Sequence, residues 1–290
     1  MSDQTINKPV EQKKPYAIND SYQLEDAPFD VEKSLIFKSL AGSHSFGMAN
    51  EESDIDIRGI YVAPIEQVFN LDTEIMVVKN KDGKGDAVFY DLRKFCRMAS
   101  VSEVNAIQML YTPKESLLEV DECGQVLIDC REIFLNKRIE YSFGGLAFGN
   151  TLSCLAEEKT NKSELREKFG YNTKMAMNSV RVIRLGSDLL ETGDMKMIRN
   201  DNEELRSIRD GKLSRDEFAI IDKTDQKREG RMGSGIVGGI MYDEFQRFNK
   251  ALKNTQLPDG PDKERINRII LRITGRKLGL NLEKDHQQSR

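Results

Sequence analysis

The chain has 290 residues, a net charge of −4, 32% charged and 38% hydrophobic residues, and no Trp. That is room for one large domain or two ordinary ones, and it excludes a global basic field, so any nucleic-acid contact must be local. Four Cys without a CxxC pair, and two His at positions 44 and 286, argue against a zinc site and for reduced thiols in a cytoplasmic protein. No apolar run approaches the roughly 18 residues of a membrane span, and the polar start carries no signal-peptide core.

In chain order, residues 1–30 read as a polar arm with Pro9 and Pro15. Val31 to Ala41 is expected to be a strand that delivers a Gly42-Ser43 turn, and Ser45 to Glu52 a loop. A second strand is expected from Asp54 to Val62, stopped by Pro64, which has no N–H for a ladder. Pro64 to Phe69 reads as a short helix or turn, Glu74 to Lys79 as a strand, and Lys81 to Gly85 as a turn. Asp86 to Tyr90 (DAVFY) is a strand, and Asp91 caps a helix running to Tyr111 with a break near Ser100 to Ser102.

After Pro113 the pattern turns helical. Helices are expected over Glu115–Asp129, within Asn136–Lys159, over Tyr171–Glu191 with Gly193 as its stop, and over Glu203–Arg209. Ser214–Lys227 continues the helical pattern, Gly230 to Gly239 breaks it, and Met241–Leu252 and Asp262–Ile273 resume it. The glycine run lacks the GK[ST] ending of a P-loop. The expected fold is α+β: a mixed-sheet palm over 31–113, then a helical C-terminal domain over 114–290 that completes a cleft.

Ala41 to Val62, AGSHSFGMANEESDIDIRGIYV, is the stretch with chemistry. Side chains alternate along a strand, so Asp54, Asp56 and Arg58 share one face and Ile55 and Ile57 the other. Two carboxylates on one face call for a cation between them, and magnesium takes one or two carboxylates plus substrate phosphates. Gly42 and Ser43 offer backbone N–H groups and a hydroxyl at a turn, the means by which loops hold phosphate. Arg58 suits a triphosphate clamp or an ion pair to the acids equally well. His44 lies beside the turn.

GSxxxG followed by SDIDIRGIYV resembles the DNA-polymerase-beta superfamily of nucleotidyltransferases, and within it the RNA-ligase-associated polymerase-beta-like group. YDLRKF, YNTKMAMNSVRVIRLGSDLLETGDM, ELRSIRDG and LPDGPDKERIN resemble later blocks of that group, so the likeness covers about residues 35 to 270. It implies a polymerase-beta-like palm that moves a nucleoside monophosphate from an NTP to an acceptor hydroxyl with release of pyrophosphate. Asp54 and Asp56 would hold magnesium, with manganese as an alternative. The third carboxylate, also the natural general base, is assigned to Asp86, with Asp91 and Glu74 as rivals. Gly42, Ser43, Arg58, Lys174, Arg181 and Arg209 would bind the nucleotide. A nucleic acid, above all RNA, is the expected acceptor, and Lys227, Arg228, Arg231 and the basic helix from Asp262 are candidates to contact it. Two departures stand out: Asn178 occupies a position where the group often has His, and an Asn-Pro pair is replaced near Glu103-Val104. Two other readings of the same fold are a non-catalytic nucleotide- or RNA-binding protein and an enzyme that nucleotidylates a protein.

Overall fold

The structure, a computed structural model, describes residues 25, 27–51, 53–69, 77–79, 86–156, 164–222 and 232–280, with Asp86 described in its backbone alone. The expected N-terminal arm falls almost wholly outside these residues, as do Glu74, the Lys81–Gly85 turn, and Lys227, Arg228 and Arg231.

The palm begins with a single helical turn, α1 (Val31–Ser34), capped by Asp30, whose carboxylate accepts from the Lys33 N–H. This turn replaces the first residues of the strand expected from Val31, because an N-cap Asp satisfies a free backbone donor that a strand end would leave open. Then follow β1 (Leu35–Leu40), the one-turn helix α2 (Gly42–Ser45), β2 (Asp56–Tyr61), α3 (Ile65–Val68), β3 (Val77–Lys79) and β4 (Asp86–Asp91). The broken helix appears as α4 (Leu92–Ser100) and α5 (Val104–Leu110), with Ser102 between them at φ 53°.

The chain does not turn helical at once after Pro113. Leu117–Val120 forms β5, which pairs antiparallel with β1 and completes a five-stranded sheet of order β3-β4-β2-β1-β5. Within it β2 and β4 run parallel while the other pairs are antiparallel, so the sheet is mixed. Four residues of LLEV carry too little periodicity to separate a strand from a helix; the free edge of β1 makes the choice.

Beyond β5 come α6 (Glu122–Asp129), a π-helical turn at Glu140–Gly144, α7 (Gly145–Leu155), α8 (Glu164–Phe169) and the long α9 (Thr173–Thr192). Asn172 caps α9 at its start, and Gly193, at φ 71°, closes it in the left-handed conformation that glycine adopts without strain. Next are α10 (Asn202–Arg209), a single turn α11 (Arg215–Phe218), a small hairpin of β6 (Ile220–Ile221) and β7 (Ile236–Gly238), α12 (Ile240–Asn254) and α13 (Lys263–Leu278). Of the helix expected over Ser214–Lys227, the part described, up to Asp222, holds one helical turn, because Ile220 and Ile221 pair with β7 instead; residues 223–227 lie outside the described residues.

Hydrophobic burial holds the sheet on both faces. Val31, Leu35, Ile57, Tyr61, Val78, Ala87 and Phe89 form a small core on one side. Phe37 and Ile60 face the other way, into a large core continuous with α4, α5, α7, α9 and α12. Palm and helical half therefore share one apolar interior. No helix among the described residues is long and apolar enough to cross a membrane. Cys96, Cys123, Cys130 and Cys154 are all free thiols, and burial raises the pKa of each.

Candidate active site

The last rung between β1 and β2 is the bond from the Ala41 N–H to the Asp56 carbonyl, at 2.8 Å. Asp54 lies before that rung and outside the strand. The preceding chain is bent by a turn in which the Ser53 N–H donates to the Asn50 carbonyl and the Ser53 hydroxyl to the Asn50 side chain. The strand expected from Asp54 therefore starts two residues later, where β1 begins to supply partners. From Asp56 onward the alternation holds: Ile57 is buried in the small core, while Asp56 and Arg58 face the helical half.

Gly42 has φ +57°, and a Cβ built there would overlap the Asp56 carboxylate. The turn thus holds Asp56 directly against the start of α2. Gly47, at φ +67°, returns the chain, and α10 pins this loop from outside: Asn202 donates to the Phe46 carbonyl at 2.9 Å and Arg206 to the Gly47 carbonyl at 2.6 Å.

Two adjoining concavities meet at Asp56. The outer cleft has a volume of about 450 Å³ and is lined by Gly42, Ser43, Asp54, Asp56, Lys174 and Arg209, with Arg181 at its floor. Phe46, Met48, Met175 and Met177 supply its apolar wall. The inner chamber, about 220 Å³, lies between β1, β2, α5 and α9, and it brings Ser39, Arg58, Asn105, Gln108 and Thr112 toward Asp56 and Arg181. Seven of the nine sequence-nominated residues therefore line the outer cleft, and Arg58 lines the inner chamber. The ninth, Asp86, is the register partner of Asp56 on β4; its side chain lies outside the described residues. His44 lines neither space. A larger hollow of about 740 Å³ sits where α9 ends against α12, remote from these residues.

Arg181 is the electrostatic anomaly of the site. It is 5% exposed, yet no carboxylate among the described residues pairs with it. One guanidinium nitrogen donates to Asn178 Oδ1 at 2.6 Å, while Nε and the other terminal nitrogen have no partner among the described residues. The guanidinium stacks 3.5 Å over the Phe46 ring. Loss of water, followed by the Arg199 charge, pushes its pKa down to about 9. A buried cation without a counterion is costly, and an incoming anion relieves that cost. Asn178, the departure from the family pattern, is here the residue that orients Arg181.

Other charged residues resolve differently. Asp91 caps α4, accepting from the Arg93 N–H at 2.9 Å and pairing with Arg93 Nε, which accounts for its carboxylate. Arg184 shares α9 with Arg181 but turns away to Asp201, Glu204 and Glu244. On α13, Arg265, Arg268, Arg276 and Lys277 are paired with Glu132, Glu264, Glu122 and Asp121, so much of that helix's charge is neutralised within the chain.

Among the described residues, no three His, Cys, Asp or Glu side chains form a metal-binding group. Asp54 and Asp56 do share the outer cleft, offer oxygen donors alone, and leave room for substrate phosphates, which suits magnesium. The cradle at Gly42, which a Cβ would fill, seats one of those carboxylates.

Over 94 residues the chain is 31% identical to an uncharacterised 38.9 kDa protein of the nrdC–mobD intergenic region of Enterobacteria phage T4. That match covers 30% of this chain and 28% of the phage protein, so the chain spans under a third of that relative's length. Among solved structures it is similar, at 12% identity and a TM-score of 0.25, to a nucleotidyltransferase-like protein from Exiguobacterium sibiricum, over 89% of this chain and 76% of that one. The model of a polymerase-beta-like family of RNA repair matches residues 16–272, which include the whole of both concavities. The chain belongs to the RNA repair pathway DNA polymerase beta family, RlaP.

Proposed function

We propose that the protein transfers a nucleoside monophosphate from an NTP to a hydroxyl of an RNA or other nucleic-acid acceptor. The observation that carries this reading is one cleft lined by Asp54, Asp56, Gly42, Ser43, Lys174, Arg181 and Arg209. In it, two acids and a phosphate-holding turn face three cations, the arrangement that a metal-bound triphosphate requires.

The acceptor oxygen attacks the α-phosphorus, the bond to the bridging oxygen breaks, and pyrophosphate leaves with that electron pair. Magnesium, when bound at Asp54 and Asp56, would lower the pKa of the attacking hydroxyl and offset charge on the phosphates. Asp86, in register with Asp56, is assigned as the third ligand and the acceptor of the hydroxyl proton. The Gly42-Ser43 turn and the cations Lys174, Arg181 and Arg209 hold the triphosphate. Phe46, Met175 and Met177 give the nucleoside an apolar surface.

The test is incubation with α-labelled NTPs, magnesium, and RNA, DNA and protein acceptors. Label is expected on a nucleic acid, and the joint change Asp54→Ala with Asp56→Ala is expected to remove it. Transfer that survives this double change would refute the mechanism. Binding of NTP without pyrophosphate release over the whole acceptor panel would favour a non-catalytic binding protein.

A further inference from the structure

We infer that the inner chamber is a second subsite of the cleft, built to hold a terminal phosphate group. Three of its lining residues carry buried polar atoms that have no partner among the described residues. Ser39 is 1% exposed and Gln108 8% exposed, and Ser39 Oγ and Gln108 Nε2 have no partner among the described residues. Arg181, whose Nε and one terminal nitrogen are likewise without a partner among the described residues, lines the same chamber. Buried polar groups are nearly always satisfied, and each exception in a native fold needs a reason. Three exceptions around one space, one of them on a charged group, share a single reason: an absent acceptor-rich ligand.

Charge selects the class of ligand. Arg58 and Arg181 line the chamber, and Asp56 is its one acidic residue. A neutral occupant would satisfy the Ser39 and Gln108 donors but leave the buried Arg181 cation uncompensated, which costs more than an unmade neutral bond. A phosphate monoester carries a charge near −2 at neutral pH and several strong acceptor oxygens, so it answers both needs. Size agrees. At about 220 Å³ the chamber falls below the range of roughly 300–1,000 Å³ typical of whole-ligand pockets, whereas the outer cleft falls inside it. The chamber therefore takes an end group, not a nucleotide.

The sequence contains a trace of this. VNAIQML is apolar at every other buried position, and Gln108 is the one polar side chain that α5 buries. Asn105 and Thr112 flank it on the chamber wall. The phosphate could be the terminal group of the acceptor strand or that of the nucleotide itself. The binding stands on the chamber's own geometry; only its place in a reaction rests on the function proposed above.

The test uses the full chain and inorganic phosphate, without metal or NTP. Thermal shift and calorimetric titration are run on wild type, Ser39→Ala, Gln108→Leu and Gln108→Glu. Phosphate stabilises proteins generally by exclusion from their surfaces, so the reading is the difference between wild type and variants at equal concentration. Saturable binding is expected in wild type, weakened about tenfold by Ser39→Ala or Gln108→Leu, each of which removes a bond to a charged ligand. Gln108→Glu should raise the melting temperature in plain buffer, by giving Arg181 an internal counterion, and abolish the phosphate response. If Gln108→Leu fails to fold, the other two variants still decide the matter. Equal phosphate binding in wild type and all variants, or no saturable binding in wild type, would overturn the proposal.

A second arm adds magnesium and a non-hydrolysable NTP. Simultaneous binding of both ligands assigns the chamber to the acceptor's terminal phosphate; competition assigns it to that of the nucleotide. The two readings fail separately. A protein that binds phosphate as described but releases no pyrophosphate refutes the transferase and keeps the subsite. One that transfers label while its chamber variants bind phosphate like wild type does the reverse.

Discussion

The carboxylate of Asp56 lies in the space that a side chain at Gly42 would occupy. Gly42 opens α2 just after the first strand and Asp56 begins the second strand, and the rung from Ala41 to Asp56 fixes the distance between them. The acid that would hold a metal and the turn that would hold phosphates are therefore a single rigid unit.

Gly42→Ala adds a methyl group in a left-handed conformation and pushes it against the Asp56 carboxylate. The backbone conformation alone costs about 1–2 kcal/mol. Displacement of the carboxylate by about 1 Å should lower nucleotide transfer at least a hundredfold. The check is a melting curve beside a transfer assay: a small drop in melting temperature with a large loss of turnover is expected.

Arg181→Met should separate stability from function. Replacing an uncompensated buried cation with an apolar side chain of similar length is expected to leave stability unchanged or raise it, by up to about 4 kcal/mol. NTP affinity should fall at least about tenfold, because a charge-assisted bond to phosphate is lost. A lower melting temperature with unaltered NTP binding would make Arg181 a structural residue stacked on Phe46.

Asn202→Ala and Arg206→Ala test the outer brace. Neither side chain lines the outer cleft, but each donates to a carbonyl of the Phe46-Gly47 loop. Loss of either bond is expected to cost about 1 kcal/mol of stability. The KM for NTP should rise severalfold with kcat nearly constant, since the brace positions the phosphate turn and touches no reacting atom. Steady-state kinetics on the two variants decides it.

Acid should loosen the ion-pair cluster that ties α10 to α9. Burial opposes ionisation of Asp201, but its bonds to Arg199 and Arg184 outweigh that and hold its pKa below the ordinary 3.8. A carboxyl whose folded pKa is depressed adds stability that is fully present above the unfolded value. That stability is lost as pH falls below 3.8 through the folded value. Melting temperature measured from pH 7 to pH 3 should fall in the lowest part of the range. The fall should be shallower in Arg199→Ala, where less of the shift remains.

Much of the local structure was legible in the chain. Strand alternation placed Asp56 and Arg58 on one face, the break near Ser100 to Ser102 divided the palm helix, and Gly193 stopped α9. These depend on neighbours within a few residues, where propensity and capping act. The errors came where a distant partner decided the outcome. Leu117–Val120 is a strand because β1 has a free edge, and Ile220–Ile221 is one because β7 comes back beside it. Asp54 falls outside β2 because β1 has run out of partners there.

The family was legible in the chain, and so were the two acids and the Gly-Ser pair proposed above to hold metal and phosphate, since all of them lie in contiguous motifs. Only the tertiary structure decided which cations face that motif. Arg181 and Arg184 look equivalent three residues apart on one helix, yet one shares a chamber with Asp56 and forms no ion pair among the described residues, while the other is held by three acids. Ser39 and Gln108 lie far apart in sequence, and they become a shared feature because β1 and α5 close over the same space. Charge compensation and burial are properties of packed neighbours, and packing brings together residues that the chain keeps far apart.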